Sequence, residues 1–212
     1  MNYSARGSYD GANFNAIVGR VRPGDLGIDC MHLNLHKTFS TPHGGGGPGS
    51  GPVALSEALA PFAPLPMVIA DDGGFRLVEH AGEAPEGTAT IGRMKGFHGQ
   101  FATFVRAFAY MLSHGGDGLR QVSSDAVLNA NYLLARRGDV LNAPFKGPCM
   151  HEALFDDHSL DNTGVTTLDF AKALIDAGYH PTTIYFPLVV HGAMLMEPTE
   201  TCLLYTSDAA DE

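Results

Sequence analysis

Residues 32–39 of the chain read HLNLHKTF, and residues 43–52 read HGGGGPGSGP. Together they place Lys37 among apolar residues and histidines, directly before a glycine-rich loop. Lysine is seldom buried without a partner, and removing water from its amine favours the neutral form that attacks carbonyl carbons. The simpler alternative is a surface lysine on an edge strand. We predict that Lys37 is the nucleophile, because the glycine loop follows it and an acidic turn at Asp10 precedes it.

Asp10 is the second candidate site residue. The sequence YDGAN at residues 9–13 predicts a strand that ends in a turn, with Asp10 at the carboxyl end of the strand. A carboxylate there either caps the turn or pairs with a cation. One suitable cation is the protonated pyridine nitrogen of pyridoxal 5'-phosphate (PLP), because PLP enzymes use that charged ring as an electron sink. The residues alone leave both interpretations open.

The glycine loop and the histidines suggest other sites less strongly. The loop lacks the order of a phosphate-binding P-loop and opens no dinucleotide-binding helix, so it favours a closely packed wall of a site over a nucleotide cradle. On a predicted strand over 30–39, His32 and His36 would lie about 13 Å apart, which is too far for one metal ion. We therefore predict no metal. Cys30 and Cys149 are predicted to be small buried apolar residues rather than nucleophiles.

Composition narrows the class of protein. The chain has 212 residues, a hydrophobic fraction of 44%, a charged fraction of 17% and a formal net charge of -10. This acidic balance argues against nucleic-acid binding, which needs a basic face. No apolar run is long enough to predict a membrane span. The 3 cysteines are far apart, so a disulfide framework is not expected and a cytoplasmic location is the default.

The pattern along the chain predicts an α/β protein. Helices are expected over 100–113, 118–137 and 167–177, and residues 71–85 are expected to form a surface excursion. Strands are expected to end at Asp10 and to span 150–156 and 183–190, and residues 30–39 are expected to form a short strand or a strand-like hairpin. We predict three regions: 1–117 as part of a large domain, 118–201 as a small α+β domain, and 202–212 as a tail.

The tail and the amino terminus depart from this pattern. Residues 202–212 (CLLYTSDAADE) resemble the translation of a sequencing adapter and are expected to be non-native. Residues 1–7 are also suspect, because a strand leading to Asp10 should be more apolar. We expect the chain to be a carboxyl-terminal fragment.

Several segments resemble, in order, those of the glycine decarboxylase P-protein of the glycine cleavage system. The resemblance is greatest to the second subunit of the split bacterial form and covers roughly residues 8 to 200. The segments that carry it are YDGANFNA at 9–16, RPGD at 22–25, HLNLHKTF at 32–39, HGGGGPGSGP at 43–52, VLNANY at 127–132, CMHE at 149–152 and MEPTE at 196–200.

This resemblance implies a fold-type-I PLP-dependent transferase, similar in fold to aspartate aminotransferase. It implies that Lys37 carries PLP covalently, that Asp10 holds the pyridine nitrogen, that Ala12 lies against the ring, and that His36 and Thr38 position the lysine. It further implies that glycine is decarboxylated and that its aminomethyl group passes to the lipoyl arm of H-protein. A homologous subunit 1 would complete a hetero-oligomer. The family's amino-terminal half is not in this chain, so the chain alone is expected to be inactive.

Two alternatives remain. Another fold-type-I reaction, transamination or cysteine desulfuration, would use the same Lys37 and Asp10. It would also need a carboxylate-binding arginine or a reactive cysteine, and no arginine follows Arg137. The second alternative is a non-catalytic partner or scaffold in which the lysine site is vestigial.

Overall fold

The computed structural model describes residues 7–43 and 49–200. Within these ranges the chain divides into two compact units. Unit 1 contains residues 7–14 and 21–115, and unit 2 contains residues 15–20 and 116–200. The predictions for residues 1–6 and 202–212, and for the central loop residues 44–48, lie outside the described residues. The three-region domain assignment stays a prediction.

The first sheet of unit 1 has three strands in the order β1-β2-β3. These are β1 (Gly7–Gly11), β2 (Ile28–Leu33) and β3 (Val53–Leu55). β1 and β2 are parallel, with Asp10 opposite His32, and β3 is antiparallel to β2. The predicted strand ending near Asp10 is thus present. Parallel pairing places the carboxyl ends of β1 and β2 at the same edge of the sheet.

The predicted strand over 30–39 is wrong in its second half. β2 ends at Leu33, and residues Leu35–Thr38 form a short helical turn, α1. The alternation of apolar residues continues to Leu35, but the backbone N–H of Leu35 donates to the carbonyl of Ser50 instead of to a neighbouring strand (2.9 Å). His36 and Lys37 therefore project from a helical turn, and the strand-based separation of His32 and His36 does not apply.

A hairpin follows in unit 1. It consists of β4 (Met67–Asp71) and β5 (Gly74–Val78), paired antiparallel. The predicted surface excursion over 71–85 is thus partly a strand. Breaker residues there form the hairpin turn, in which the Asp71 carboxylate accepts a hydrogen bond from the Gly73 N–H (3.0 Å). Most of β5 is exposed, although Val78 is fully buried.

The two predicted central helices form one element, α2 (Phe101–Arg137), with a break at Gly115. Gly115 has φ 64° and ψ −177°, a backbone conformation that is not helical and that favours glycine. The segment before the break belongs to unit 1 and the segment after it to unit 2. The helical spacing of apolar residues before the break is correct, but several of them are exposed, including Phe101, Phe108 and Leu112.

Unit 2 contains a three-stranded antiparallel sheet in the order β6-β8-β7. Its strands are β6 (Ala153–Phe155), β7 (Thr183–Ile184) and β8 (Met194–Met196). The predicted strand over 183–190 is much shorter than expected. Tyr185 adopts φ 57° and Pro187 has no N–H to donate, so the extended ladder ends at Ile184. The core of the sheet consists of Leu141, Ala153, Phe155 and Met194.

The predicted helix over 167–177 is present as α3 (Thr167–Asp176). Thr166 caps it: its hydroxyl accepts from the Asp169 N–H (3.2 Å), and the Asp169 carboxylate accepts from the Thr166 N–H (3.0 Å). Gly178 follows the helix with φ 86°, a left-handed conformation that ends helices. Among the described residues, no helix is both long and apolar enough to cross a membrane.

Candidate functional site

The carboxyl-terminal edge of β1 and β2 brings Asp10 and His32 together. Asp10 Oδ1 lies 3.2 Å from His32 Nε2, and the Asp10 side chain is 78% exposed. The same oxygen accepts a hydrogen bond from the Ala12 N–H (3.0 Å). Asp10 thus caps its turn, which was one of the two interpretations left open by the sequence. Among the described contacts nothing engages the second carboxylate oxygen, Oδ2, so this atom is available to a ligand.

His32 was missed as a partner of Asp10 by sequence analysis. The only signal was indirect: both residues lie near the ends of strands, and parallel strands align their ends. A neutral imidazole can donate one hydrogen bond to the carboxylate, and a protonated one adds an ion pair. His32 therefore orients the Asp10 carboxylate.

Lys37 lies in α1, and its side chain is exposed. Its backbone N–H donates to the Asn34 carbonyl (3.3 Å). Among the described residues no hydrogen bond or ion pair engages its amine. The expected removal of Lys37 from water is therefore not seen in this chain, and Lys37 lies in a helical turn after the end of β2 instead of within the predicted strand.

Thr38 links the lysine turn to the loop that follows Asp10. Its side chain is buried, and its hydroxyl accepts a hydrogen bond from the Phe14 N–H (2.9 Å). The Asn34 N–H donates to the Ala12 carbonyl (3.1 Å). These two bonds hold the backbone around Ala12 and the lysine turn in one arrangement. Thr38 thus holds the loop after Asp10, and its role in positioning the lysine stays a prediction.

His36 is the group of this region that lacks a polar partner. Its Nδ1 atom is inaccessible to solvent and has no hydrogen-bond partner among the described residues. Its ring meets the ring of His43 edge to face, with centroids 4.8 Å apart. Burial, followed by the nearby His43 and Lys37 charges, lowers the pKa of His36, so the neutral imidazole is favoured. A buried polar atom without a partner is costly, which makes Nδ1 suitable for contact with a bound group.

The glycine segment packs against the end of β2. A Cβ atom on Gly51 would lie 1.7 Å from the Leu33 carbonyl oxygen, so the close approach requires glycine. The Leu33 N–H donates to the Pro52 carbonyl (3.1 Å), and the Leu35 N–H donates to the Ser50 carbonyl (2.9 Å). The segment therefore holds the backbone that leads into Lys37. This agrees with the prediction of a closely packed wall.

These features fit a PLP site in part. The residues present offer groups of the kinds that this cofactor would need: the carboxylate Oδ2 atom of Asp10, the partnerless Nδ1 atom of His36 and the exposed amine of Lys37. All three come from unit 1.

Comparisons with known proteins agree with the motifs. A family model described as glycine dehydrogenase, C-terminal domain, matches residues 122–208. A probable glycine dehydrogenase (decarboxylating) subunit 2 of Caulobacter vibrioides is 72% identical over 201 residues, which cover 93% of this chain and 38% of the relative. Its counterpart in Treponema denticola is 52% identical over 194 residues, covering 91% and 39% respectively.

Solved structures show the same fold. A glycine decarboxylase (P-protein) of the glycine cleavage system, in inhibitor-bound form, superposes with a TM-score of 0.70 at 21% identity, covering 95% of this chain and 45% of that one. The glutamate decarboxylase of Lactobacillus brevis gives a TM-score of 0.61 at 14% identity, covering 96% and 44%. The predicted fold-type-I α/β architecture is confirmed.

The chain spans less than two fifths of the length of these curated relatives, 38% and 39%. Within that length the similarity extends over nearly the whole of this chain, and the resemblance predicted from its motifs is confirmed. Over nearly its whole length the chain is therefore similar to the carboxyl-terminal portion of glycine dehydrogenase (decarboxylating) subunit 2.

Proposed function

We propose that this chain forms part of a PLP-dependent enzyme that decarboxylates glycine and passes the aminomethyl group to the lipoyl arm of H-protein. The observation that carries the proposal is the 72% identity to a glycine dehydrogenase subunit 2 over 93% of the chain. Such identity favours this reaction over transamination or desulfuration. A subunit 1 would be the partner, and the cytoplasm the location.

The carboxylate of Asp10 and the amine of Lys37 have distinct tasks in this proposal. When bound, PLP supplies an electron-withdrawing ring that stabilises the carbanion left after carbon dioxide departs. Asp10 keeps a proton on the pyridine nitrogen through Oδ2, while His32 and the Ala12 N–H hold Oδ1. Lys37 would provide the amine that holds the cofactor covalently. Ala12 is small enough to let the ring approach the loop.

Two further residues support these tasks. His36, whose pKa is lowered chiefly by burial, offers Nδ1 for a hydrogen bond to the bound group. Thr38 keeps the loop around Ala12 next to the lysine turn through its bond to the Phe14 N–H. Most of the cofactor-binding surface belongs to the part of the relatives that this chain does not span, so the isolated chain is not expected to catalyse decarboxylation.

A chimeric subunit tests the proposal. The matching carboxyl-terminal part of the Caulobacter vibrioides relative is replaced by this chain, and the product is assembled with subunit 1 and PLP. We expect glycine–bicarbonate exchange within about tenfold of the parent, because at 72% identity most packing contacts are kept. Normal assembly without exchange would instead support the scaffold alternative.

Two substitutions in the chimera test the roles. Lys37→Ala should abolish the absorbance of covalently bound cofactor and its fixation by borohydride, whereas Lys95→Ala serves as the matched control and should keep both. Asp10→Asn should retain the cofactor but lower turnover by about two orders of magnitude or more, because the ring nitrogen loses its charged partner. Borohydride fixation in Lys37→Ala would refute the assignment of the lysine.

A further inference from the structure

Unit 2 contains a cluster that the proposed function does not use. It consists of His151, Glu152 and Glu197, whose potential ligand atoms all lie within 4.8 Å of one another. We propose that this cluster binds one divalent first-row transition-metal ion, with Zn²⁺ as the ion to test. The proposal departs from the prediction of no metal, which considered only His32, His36 and His43.

The sheet register brings the two carboxylates together. β6 and β8 are antiparallel, with Ala153 opposite Met196. Glu152 directly precedes Ala153 and Glu197 directly follows Met196, so the two glutamates are the next residues along the same ladder. His151 lies one residue further from the strand. The backbone therefore places all three residues at one end of the sheet.

Three asparagine side chains hold the segments that carry the cluster. Asn131 clamps Cys149, donating to its carbonyl (2.7 Å) and accepting from its N–H (2.9 Å). Asn129 donates to the Thr199 carbonyl (2.9 Å). Asn15 donates from Nδ2 to Glu197 Oε1 (2.6 Å), which fixes the orientation of that carboxylate. Hydrogen bonds of this kind to a metal-binding group orient it and strengthen its binding.

His151 supplies the observation that points to a ligand. Its side chain is only 12% exposed, and both ring nitrogens are inaccessible to solvent without a hydrogen-bond partner among the described residues. Nε2 lies 3.8 Å from Glu197 Oε1, which is too long for a hydrogen bond. An imidazole with two buried, unsatisfied nitrogens is costly unless something binds to it. A metal ion between the imidazole and the carboxylates satisfies one nitrogen directly.

The chemistry of the cluster suits a divalent cation. A neutral imidazole and two carboxylates provide a net charge of -2 and the N and O ligands that Zn²⁺ accepts. Tetrahedral bonds of roughly 2.0–2.2 Å place ligand atoms about 3.4 Å apart. The separations in the cluster, up to 4.8 Å, therefore require a modest inward movement of side chains. Three protein ligands leave one position open for water.

Calorimetric titration of the complete 212-residue chain tests the site. The chain is treated with a chelator, exchanged into buffer at pH 7 and titrated with ZnCl₂, in the absence of PLP and glycine. We expect one saturable site per chain. His151→Ala and Glu197→Gln should each weaken zinc binding by about tenfold or more, and Asn15→Ala by about tenfold, because it removes the bond that orients Glu197.

The control is His191→Ala, which removes a histidine that is 96% exposed beside Asp157 and should leave zinc binding unchanged. Glu197→Gln keeps the size of the side chain, so its zinc affinity tests the proposal even if His151→Ala does not fold. No saturable binding, or equal affinity in the parent and Glu197→Gln, overturns the proposal. Because neither PLP nor decarboxylation enters the measurement, this result is independent of the proposed function.

Discussion

The close approach of Gly51 to the lysine segment predicts a large effect of one methyl group. In Gly51→Ala the new Cβ would meet the Leu33 carbonyl oxygen at 1.7 Å, and the backbone of β2 cannot move aside as a flexible side chain would. Restoring a separation of 3.0 Å needs a shift of about 1.3 Å between the two segments. That shift separates residues 50–52 from the backbone of residues 33–35, which leads into the Lys37 turn.

The cost can be worked out from the hydrogen bonds that the shift breaks. The Leu33 N–H to Pro52 carbonyl bond (3.1 Å) and the Leu35 N–H to Ser50 carbonyl bond (2.9 Å) both join these segments. Each is worth about 0.5–1.5 kcal/mol net, so losing both costs about 1–3 kcal/mol. Replacing glycine by alanine restricts the unfolded chain and returns about 0.4–1 kcal/mol. We expect a net destabilisation of about 0–2.6 kcal/mol relative to the parent, and of about 1–3 kcal/mol relative to a glycine-to-alanine change that causes no clash.

Urea denaturation of the 212-residue chain measures the change, with circular dichroism as the signal. Gly24→Ala is the matched control: it lies in the same unit, and its added Cβ would meet nothing within 4 Å. We expect the control to be neutral or slightly stabilising. A free energy of unfolding for Gly51→Ala within about 0.5 kcal/mol of the control would refute the argument that this approach requires glycine.

Four further predictions concern unit 2. Phe155→Ala should lower the free energy of unfolding by about 3–5 kcal/mol in denaturation experiments, because the ring is fully buried in the core. The control is Phe75→Ala in unit 1, which should change that free energy little because Phe75 is 83% exposed. Thr166→Ala should cost about 1 kcal/mol by removing the cap of α3, measured the same way. Hydrogen bonds from the Thr166 side chain and backbone lower the pKa of the Asp169 carboxyl. The stabilisation that ionised Asp169 contributes is therefore fully present above its ordinary pKa of 3.8 and is lost as pH falls through the lowered pKa. The difference in free energy of unfolding between the parent and Asp169→Asn should vanish at acid pH. Burial raises the pKa of the Cys149 thiol, so its alkylation by iodoacetamide should begin at higher pH in the folded chain than in urea, as followed by mass spectrometry of its peptide.

Local signals explain which elements could be predicted from the sequence. α3 was predicted almost to the residue, because Thr166 and Asp169 form a capping box and Gly178 takes a left-handed conformation directly after the helix. The break in α2 could be placed near Gly115 because glycine adopts the non-helical backbone conformation that interrupts the helix there. These signals depend on residues within a turn or two of one another, so no knowledge of the tertiary structure is needed.

Elements set by distant contacts were predicted less well. The sequence around Leu35 alternates as a strand would, yet the bond to the Ser50 carbonyl ends the strand and lets Leu35–Thr38 turn into a helix. The pairing of Asp10 with His32 follows from the register of two parallel strands, which the sequence does not specify. Residue types and their order could thus identify Lys37 and Asp10, but not the partners that orient them.

The motif VLNANY at 127–132 shows how a family resemblance can be more informative than its residues taken singly. Asparagine favours neither the interior of a helix nor a buried site, so local preference gives no reason for two of them in α2. Asn129 and Asn131 are two positions apart, about 200° around the helix, and therefore face different neighbours. One holds the Thr199 carbonyl and the other clamps Cys149. The segments CMHE and MEPTE, which carry His151 and Glu197, are thus both held by a third motif that lies apart from them in sequence, through bonds that only the folded chain reveals.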